Sequence, residues 1–336
     1  MRKSVLVIIS TLIGTAAAGW VIDAQATTVR IAAPIVAPPW SGAKFIEESV
    51  DYLRWKLPGD QFDLTWEEPA KIGKLLQSGQ ADIGIVPSGV LNPTETETAR
   101  LISTMASRRT PLPDRSSSCV FVVRKDSTAH SLKDLQGLSA GAGDPNAIDG
   151  MLACLGEIEK NAGASDRFFS RIQIFGPLGD RKTLRALKKN SIDVAMIRSG
   201  YAEDVLEASG RDILEDFRVI GRKQGELLDV HSATAYPGPS VMASSSLDPA
   251  LVHAILATLL NKPLNGWGQY WTVPAAGDSI DELSRSLKIG PYAYLKTWTL
   301  KRIWTEYRLP IIVLLIMVLG LILHGWRSEV LVRRHR

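Results

Sequence analysis

Two stretches of the chain end in a Ser-Gly pair that is suited to binding an anion. Residues 75–89 read LLQSGQADIGIVPSG, and residues 187–200 read LKKNSIDVAMIRSG. Each stretch contains a helix end, a polar turn, an Asp, an apolar strand and a final pair, which is Ser88-Gly89 or Ser199-Gly200. A helix that begins after such a pair offers unpaired N–H groups and a partial positive charge to an anion. The alternative is that two helix–turn–strand units look alike by chance.

A third helix start and one arginine could add donors to the same site. A helix is predicted over 147–161, so Asn146 and the backbone of Ala147 are candidate contacts to an anion. Arg198 directly precedes the second Ser-Gly pair, and its guanidinium could bind an oxyanion through two parallel hydrogen bonds. The alternative for Arg198 is a salt bridge to a surface acid.

The segment HSATAYP, at 231–237, supplies further polar side chains for a binding site. We expect these side chains near the point where the chain returns between two lobes, and the candidates are His231, Ser232, Thr234 and Tyr236. Trp40 lies on a Pro-rich loop after the first predicted strand and could pack on the ligand. His231 could instead be a hydrogen-bonded structural histidine, and Trp40 could be a core aromatic residue.

The composition argues against catalysis and against nucleic acid binding. The chain has only five histidines, and two of them, His324 and His335, lie in the C-terminal apolar segment and the tail. It contains no nucleophile elbow, no cluster of metal-ligating residues and no phosphate-cradling glycine loop. The net charge is +4, and no basic patch with interleaved aromatic residues is present. We therefore expect a binding protein and not an enzyme, with no cofactor, no metal and no nucleic acid partner.

The two similar stretches predict two α/β lobes that face each other across a cleft, since ligands of open α/β sheets bind beyond the carboxyl ends of the strands. The segments that start at Cys119 and at Pro239 each indicate a strand, a turn and a helix, and we interpret them as crossings between the lobes. The first lobe would comprise 27–118 and 238–290, and the second would comprise 119–237. Two crossings make a hinge, which allows closure around a ligand.

The N-terminus has the pattern of a secretory signal. Arg2 and Lys3 precede an apolar run, and Ala24-Gln25-Ala26 fits a cleavage site. We expect residues 1–26 to be removed as a signal peptide. Because the apolar run is long, an uncleaved anchor helix is the alternative.

A second apolar segment, at 311–326, is followed by a basic tail at 327–336. An apolar helix can cross a membrane, and its basic flank stays in the cytoplasm. We expect a single-pass protein of a bacterial inner membrane, with the main body in the periplasm. Residues 291–310 are rich in Trp and Tyr and would form a juxtamembrane connector. The alternative for 311–326 is a buried core helix.

The chain has two cysteines, Cys119 on a predicted strand and Cys154 on a predicted helix. Both fall in the proposed second lobe, so contact between them is feasible. An oxidising compartment permits a disulfide. Two buried thiols remain the alternative.

Several motifs together resemble a known family. FVVRKDS followed by SLKDLQG, the two Asp-containing stretches and YPGPSVMASSSLDPALV are similar to phosphate/phosphonate-type periplasmic binding proteins with type II topology. The segments at 197–210 and 231–237, and WTVP at 271–274, resemble more closely the periplasmic sensor portion of tetrathionate-sensing histidine kinases. The resemblance implies an α/β, two-lobed type II periplasmic-binding-protein fold with a cleft between the lobes, here with one C-terminal transmembrane helix.

The chain departs from this family at the candidate site. GAGDPNAIDG, at 141–150, stands where such proteins often carry a Ser- or Gly-rich loop, and Asp180 stands where phosphonate binders often carry a His. We expect a small anionic ligand, either an oxyanion of sulfur or phosphorus or a carboxylate. Since only ten residues follow the apolar segment, we expect a separate partner and no kinase domain. The main expectation is sensory input to a histidine kinase, and the alternative is a tethered component of an ABC-type anion transporter with a permease partner.

Overall fold

The computed structural model describes residues 27–35, 41–87, 98–163, 165–177, 179–225, 227–296, 304, 307–321 and 324. Its strands are β1 (Thr28–Pro34), β2 (Gln61–Glu67), β3 (Ile83–Val86), β4 (Ala99–Ser107), β5 (Cys119–Arg124), β6 (Ser139–Ala142), β7 (Arg171–Ile174), β8 (Val194–Arg198), β9 (Phe217–Ile220), β10 (Ser240–Ser244) and β11 (Gln269–Thr272). Its α-helices are α1 (Ser41–Lys56), α2 (Pro69–Gln77), α3 (Ala153–Ala162), α4 (Asp180–Lys188), α5 (Tyr201–Ser209), α6 (Pro249–Leu260) and α7 (Asp278–Leu287).

The first sheet has six strands in the order β11-β4-β10-β3-β1-β2. β1 runs parallel to β2 and β3, whereas β10 runs antiparallel to β3 and β4. Apolar side chains of α1 and α6 pack on one face of this sheet, and those of α2 pack on the other. The sheet is therefore the middle layer of a three-layer α/β unit.

The second sheet has five strands in the order β7-β6-β8-β5-β9. Its interior strand β5, between β8 and β9, shows why both faces are covered. Alternate residues of a strand point to opposite faces, and on β5 both sets are buried. Phe121 and Val123 join the core that contains α3, whereas Val120 and Val122 join the core that contains α4. The helices on the two faces thus lie on opposite sides of one sheet.

The two similar stretches of sequence use their Asp residues in the same way. Asp82 accepts a hydrogen bond from the backbone N–H of Arg30 at 2.9 Å, and its own N–H donates to the Arg30 carbonyl at 2.9 Å. Asp193 accepts from the backbone N–H of Ser139 at 3.1 Å, and its N–H donates to the Ser139 carbonyl at 2.9 Å. Each Asp thereby fixes the register of its strand against the neighbouring parallel strand. Both Asp residues therefore have a structural role.

Helix α7 packs on the second sheet, although the sequence placed residues 238–290 in the first lobe. Leu283 and Leu287 are buried in the core that contains α3. Gly156 on α3 allows this approach, because a Cβ at that position would overlap the Leu283 side chain. β10, β11 and α6 join the first sheet, whereas α7 crosses to the second. The apolar face of α7 is the reason for the difference. A lobe boundary placed at a strand does not show on which lobe a later helix packs.

Cys119 and Cys154 form a disulfide, with their Cα atoms 5.7 Å apart. Cys119 is the first residue of β5, directly after the chain has left the first lobe, and Cys154 lies on α3. Of the two states that the sequence left open, the structure has the disulfide. It joins the start of the crossing strand to a helix of the second lobe.

Residues 307–321 are helical, and their large apolar side chains are exposed from Leu309 to Leu321. Among the residues that the structure describes, none of the helices combines the length and the hydropathy required to cross a membrane. The described residues therefore show no membrane-spanning helix at the position expected, 311–326. The expected signal peptide at 1–26 and the expected tail at 327–336 lie outside those residues.

Candidate functional site

A small cavity of about 70 Å³ lies between the two sheets, beside the segments that connect them. The connecting segments contribute Ser116, Ser117 and Pro239. The first sheet and its loops contribute Met105, Ala106, Ser107, Arg109, Thr110 and Gln269. The second lobe contributes Asp149, Arg198, Ser199, Gly200, Asp204 and Asp229. Both lobes thus line the cavity, at the position where a hinge between them would close.

Three helix starts meet this part of the second lobe, and each already carries a carboxylate. Two of them, after Ala147 and after Ser199-Gly200, are starts that the sequence predicted, whereas the start of α4 was not predicted. The predicted helix start after Ser88-Gly89 lies outside the described residues. Asp149 lies in the first turn of the π-helical segment that leads into α3, Asp180 is the first residue of α4, and Asp204 lies in the first turn of α5. Carboxylates are stabilised at helix N-termini by the helix dipole. The protein therefore supplies its own carboxylates at two of the places where a ligand anion was expected, the starts marked by Asp149 and Asp204.

Arg198 lies at the end of β8 and forms ion pairs with two of these carboxylates. Its Nη2 atom is 2.8 Å from Asp204 Oδ2, and its Nε atom is 3.3 Å from Asp180 Oδ2. The Arg198 side chain is only 17% exposed. The sequence offered anion binding or a salt bridge for this residue. The structure shows the salt bridges, and contact with a ligand anion stays a prediction.

Arg109 completes the charge network and was missed by the sequence analysis. It lies on the connection from β4 to β5, and its Nη2 atom is 2.6 Å from Asp204 Oδ1. Its Nε atom is 3.1 Å from Asp229 Oδ1, although this contact lacks hydrogen-bond geometry. Asp204, whose side chain is 2% exposed, therefore bridges two arginines, one from each side of the hinge. Since Arg109 and Asp204 are 95 residues apart, no local pattern could reveal the pair.

Two carboxyl groups at the cavity have strongly altered proton affinities. Burial raises the pKa of Asp149 to about 6, against the opposing attraction of Arg198. Burial also raises the pKa of Asp229 to about 6, against the opposing attraction of Arg109. Burial disfavours the charged form of a carboxyl group. Both groups therefore gain protons under mildly acidic conditions and can then donate a hydrogen bond into the cavity.

The second Ser-Gly pair lies at the cavity, and both residues have structural contacts there. The Ser199 hydroxyl accepts a hydrogen bond from the Ser118 N–H at 2.9 Å. Gly200 has a φ of +78°, and a Cβ there would lie 2.9 Å from Asp229 Oδ2. Only glycine adopts this conformation at no steric cost, so the turn into α5 requires it.

The loop before α3 brings Asn146 near the second-lobe wall without placing it in the cavity lining. Asn146 is exposed, and its N–H donates to Asp144 Oδ1 at 2.9 Å in a local turn. Ala147 is the residue that precedes the π-helical segment. Neither lines the described cavity, and their contact with a ligand stays a prediction.

The segment at 231–236 is largely buried beneath the site. His231 is 1% exposed, and its Nδ1 atom lies 2.9 Å from the Asp229 carbonyl oxygen. The Ser232 hydroxyl donates to the Ile220 carbonyl at 2.7 Å, and the backbone of Tyr236 pairs with that of Ser117. The Thr234 N–H donates to Glu157 at 3.3 Å. None of the four lines the described cavity. In this structure the segment therefore lies behind the residues that line the cavity.

Three further predicted residues, Trp40, Ser88 and Gly89, lie outside the described residues. Their contact with a ligand stays a prediction. In the part of the chain that the structure describes, no group of His, Cys, Asp or Glu is arranged to hold a metal ion.

The sequence profile of one family matches most of the chain. The profile of the ABC transporter, phosphonate, periplasmic substrate-binding protein family matches residues 44–265. No curated protein matches the chain in sequence. The family consists of substrate-binding proteins and not of enzymes, and it places the main body in the periplasm.

Solved structures share the fold. A binding protein component of an ABC phosphonate transporter from Pseudomonas aeruginosa has 15% identity and a TM-score of 0.58, over 77% of this chain and 86% of that one. PhnD1 from Prochlorococcus marinus, in complex with methylphosphonate, has 13% identity and a TM-score of 0.59, over 78% and 98%. A Xanthomonas citri protein bound to ATP has 19% identity and a TM-score of 0.58, over 78% and 98%.

These similarities confirm the two-lobed α/β periplasmic-binding-protein fold that the sequence predicted. None of these proteins is described as a sensor of tetrathionate or as part of a histidine kinase. The closer resemblance to such sensors therefore has no support. With a family profile that covers residues 44–265 and a matching fold, this chain belongs to the periplasmic substrate-binding proteins of phosphonate ABC transporters.

Proposed function

We propose that the chain is the substrate-binding component of an ABC-type transporter and delivers a small anionic solute to a membrane permease. The observation that carries the proposal is the cavity at the hinge, because both lobes and both connecting segments line it. A solute that contacts both lobes stabilises the closed arrangement by its differential affinity for the two states. The alternative that the sequence analysis had left open thus becomes our main proposal, in place of a sensory role.

The charges at the cavity support an anionic ligand whose binding depends on the protonation of two carboxyl groups of the protein. Arg109 and Arg198 supply positive charge there, and each is already paired with carboxylates. An incoming anion would compete with Asp149 and Asp229, whose pKa values of about 6 favour the neutral form more than for ordinary Asp residues. We therefore propose a small ligand that has few negative charges, and stronger binding when these two groups are protonated.

Isothermal titration calorimetry tests the proposal with the full chain and a panel of methylphosphonate, phosphate, sulfate and acetate. We expect at least one of these anions to bind, and Arg198→Gln to weaken its binding by about 1.5–3 kcal/mol, the usual contribution of a hydrogen bond to a charged group. Arg167→Gln is the control, because Arg167 is 88% exposed and lies outside the cavity. Absence of binding across the panel would contradict the proposal, and unchanged binding in Arg198→Gln would make that residue purely structural.

We further propose that the segment around 311–326 attaches the body to the inner membrane. The support is the exposure of its large apolar side chains from Ile312 to Leu321. Truncation after Arg308 should move the protein from the membrane fraction to the periplasmic extract. A full-length chain that is extracted as readily as the truncated one would remove this proposal.

A further inference from the structure

A second, larger depression lies on the outer face of the second lobe, away from the hinge cavity. This groove, of about 640 Å³, is lined by α4, by α5 and by part of the segment that follows α5. Its lining consists of Arg181, Leu184, Arg185, Lys188, Tyr201, Val205, Ala208, Ser209, Arg211, Ile213, Asp216 and Phe217. None of these residues lines the hinge cavity.

The floor of the groove is apolar. Leu184, Tyr201 and Phe217 belong to the buried core on this face of the second sheet, and Val205 and Ile213 pack against that core while partly exposed. A groove between two helices with such a floor is suited to the apolar side of a third helix.

The rim of the groove is strongly basic. Arg181, Arg185 and Lys188 follow one another at spacings of four and three on α4, so they project from one face of the helix. Arg211 lies on the other side, and the one acidic lining residue is Asp216.

The positive charge of the rim is only partly neutralised. Asp216 is bound by Lys188 at 3.1 Å and by Arg211 at 2.7 Å. Arg181 and Arg185 form no ion pair with any residue that the structure describes. Two guanidinium groups therefore remain available beside an apolar floor, which complements an acidic and amphipathic occupant.

The position of the groove favours a protein over the lipid surface. Helix α7, from which the chain continues toward the apolar segment at 307–321, packs on the α3 face of the second sheet. The groove lies on the α4 face, which is the opposite side of that sheet. A lobe that approached the bilayer with its α7 side would point the groove away from the lipid.

The groove is also connected to the hinge cavity. α4 begins at Asp180 and α5 begins after Gly200, next to the charge network of Arg198. The Arg198 guanidinium lies 5.3 Å from the ring of Tyr201, which lines the groove. The first turns of both helices therefore lie between the charge network and the groove.

We propose that this groove docks an acidic, amphipathic helix of the membrane permease, an inference that rests on the transport role proposed above. The acidic side chains of that helix pair with Arg181 and Arg185, and its apolar side chains contact Val205 and Ile213. The groove lies on the second lobe alone, so it remains present whether the two lobes are open or closed.

A photo-crosslinking amino acid at Ala208 tests the proposal in the full chain, in cells of the native host. Ala208 is exposed and lines the groove. Mass spectrometry of the cross-linked product should identify a segment of a transporter membrane subunit in which Asp or Glu flanks apolar residues at helical spacing. Arg181→Glu combined with Arg185→Glu should lower the yield about tenfold, because both charge contacts become repulsive.

The matched control is Lys182→Glu combined with Lys189→Glu. Both lysines are exposed next to the groove residues of α4, and neither lines the groove. This variant has the same net charge as the groove variant, so its yield should stay at the wild-type level. An equal loss in both variants would show a general charge effect and overturn the docking site. A cross-link to phospholipid, to a second copy of this chain, to a histidine kinase or to a segment without acidic residues would also overturn it, as would no cross-link.

The proposed transport function is tested separately, because calorimetry of solute binding does not involve the groove. The groove variant should bind the solute like the wild type. A wild type that binds no solute but cross-links as described would refute the transport role of the cavity and leave the docking site in place. A wild type that binds solute but gives no groove-dependent cross-link would refute the docking site alone.

Discussion

The hinge cavity and the outer groove lie on two sides of the same helix, α5. They differ in whether their arginines are paired with carboxylates. At the cavity, Asp204 joins Arg109 and Arg198 in a network in which each arginine has a carboxylate partner. At the groove, Arg181 and Arg185 have no carboxylate partner among the described residues. The arginines that stabilise the fold form ion pairs within the protein, whereas the arginines that we assign to a partner have no ion pair among the described residues.

The largest expected effect is the loss of the bridge at Asp204. Asp204→Ala leaves two partly buried arginines without their common partner, and removal of one member of a buried pair costs about 3–5 kcal/mol. Glu207→Ala on the same helix is the control, since Glu207 is 47% exposed and 3.7 Å from Arg109. Its cost should stay below about 1 kcal/mol. Urea unfolding measures both, and equal costs would mean that the cavity network is no more structural than a surface pair.

The second effect is a pH dependence with opposite signs in the two regions. The pKa of Asp229 is raised to about 6 by burial, above roughly 3.9 for an unfolded Asp. The folded protein therefore binds more protons between these values, and this group makes the free energy of unfolding fall as the pH rises from about 4 through about 6. Asp229→Asn should remove that part of the slope.

Asp216 in the groove provides the opposite case. The hydrogen bond from Lys188 lowers the pKa of Asp216. Its contribution to stability is therefore present above the unfolded pKa and disappears as the pH falls through the folded value. The free energy of unfolding of Asp216→Asn and of Asp229→Asn is measured between about pH 3 and about pH 8, the range in which these groups titrate. The two substitutions should change its slope against pH in opposite directions. Changes of the same sign would contradict the comparison.

A third effect concerns the turn that starts α5. Gly200→Ala should cost more than about 1–2 kcal/mol, since the left-handed conformation alone costs about that much and the new methyl group would meet Asp229. Gly210, at the other end of α5, also has a positive φ, of +69°, but faces open space. Gly210→Ala therefore measures the backbone cost alone. Equal losses of thermal stability would show that Asp229 moves aside freely.

The smallest effect is expected at the groove itself. Arg181→Glu combined with Arg185→Glu removes no ion pair among the described residues, so the free energy of unfolding should change by no more than about 0.5 kcal/mol. Urea unfolding at the pH of the wild-type measurement is sufficient. A loss comparable to that of Asp204→Ala would show that these arginines stabilise the fold and are not reserved for a partner.

The fold could be predicted from local patterns, because helix ends, Asp residues and apolar strands recur at fixed spacing around Asp82 and Asp193. The position of Ser199-Gly200 at the cavity followed from the same pattern. The charge network could not be predicted, since Arg109 and Asp204 meet only through the tertiary fold. Asp180 departs from the pattern of phosphonate binders, but nothing in the sequence pairs it with Arg198, for which ligand binding and a salt bridge were both open. The placement of α7 failed because a helix following a strand can pack on either lobe.

The disulfide has a consequence for how the protein reaches the periplasm. In a reducing cytoplasm the two thiols stay separate, and the loop between Cys119 and Cys154, which are 35 positions apart, is unconstrained. In the chain-entropy account, closing a loop of this length stabilises the folded state by about 4 kcal/mol. That contribution arises only after export, so the second lobe is easier to keep unfolded during translocation. It gains its full stability on the side of the membrane where solute is captured.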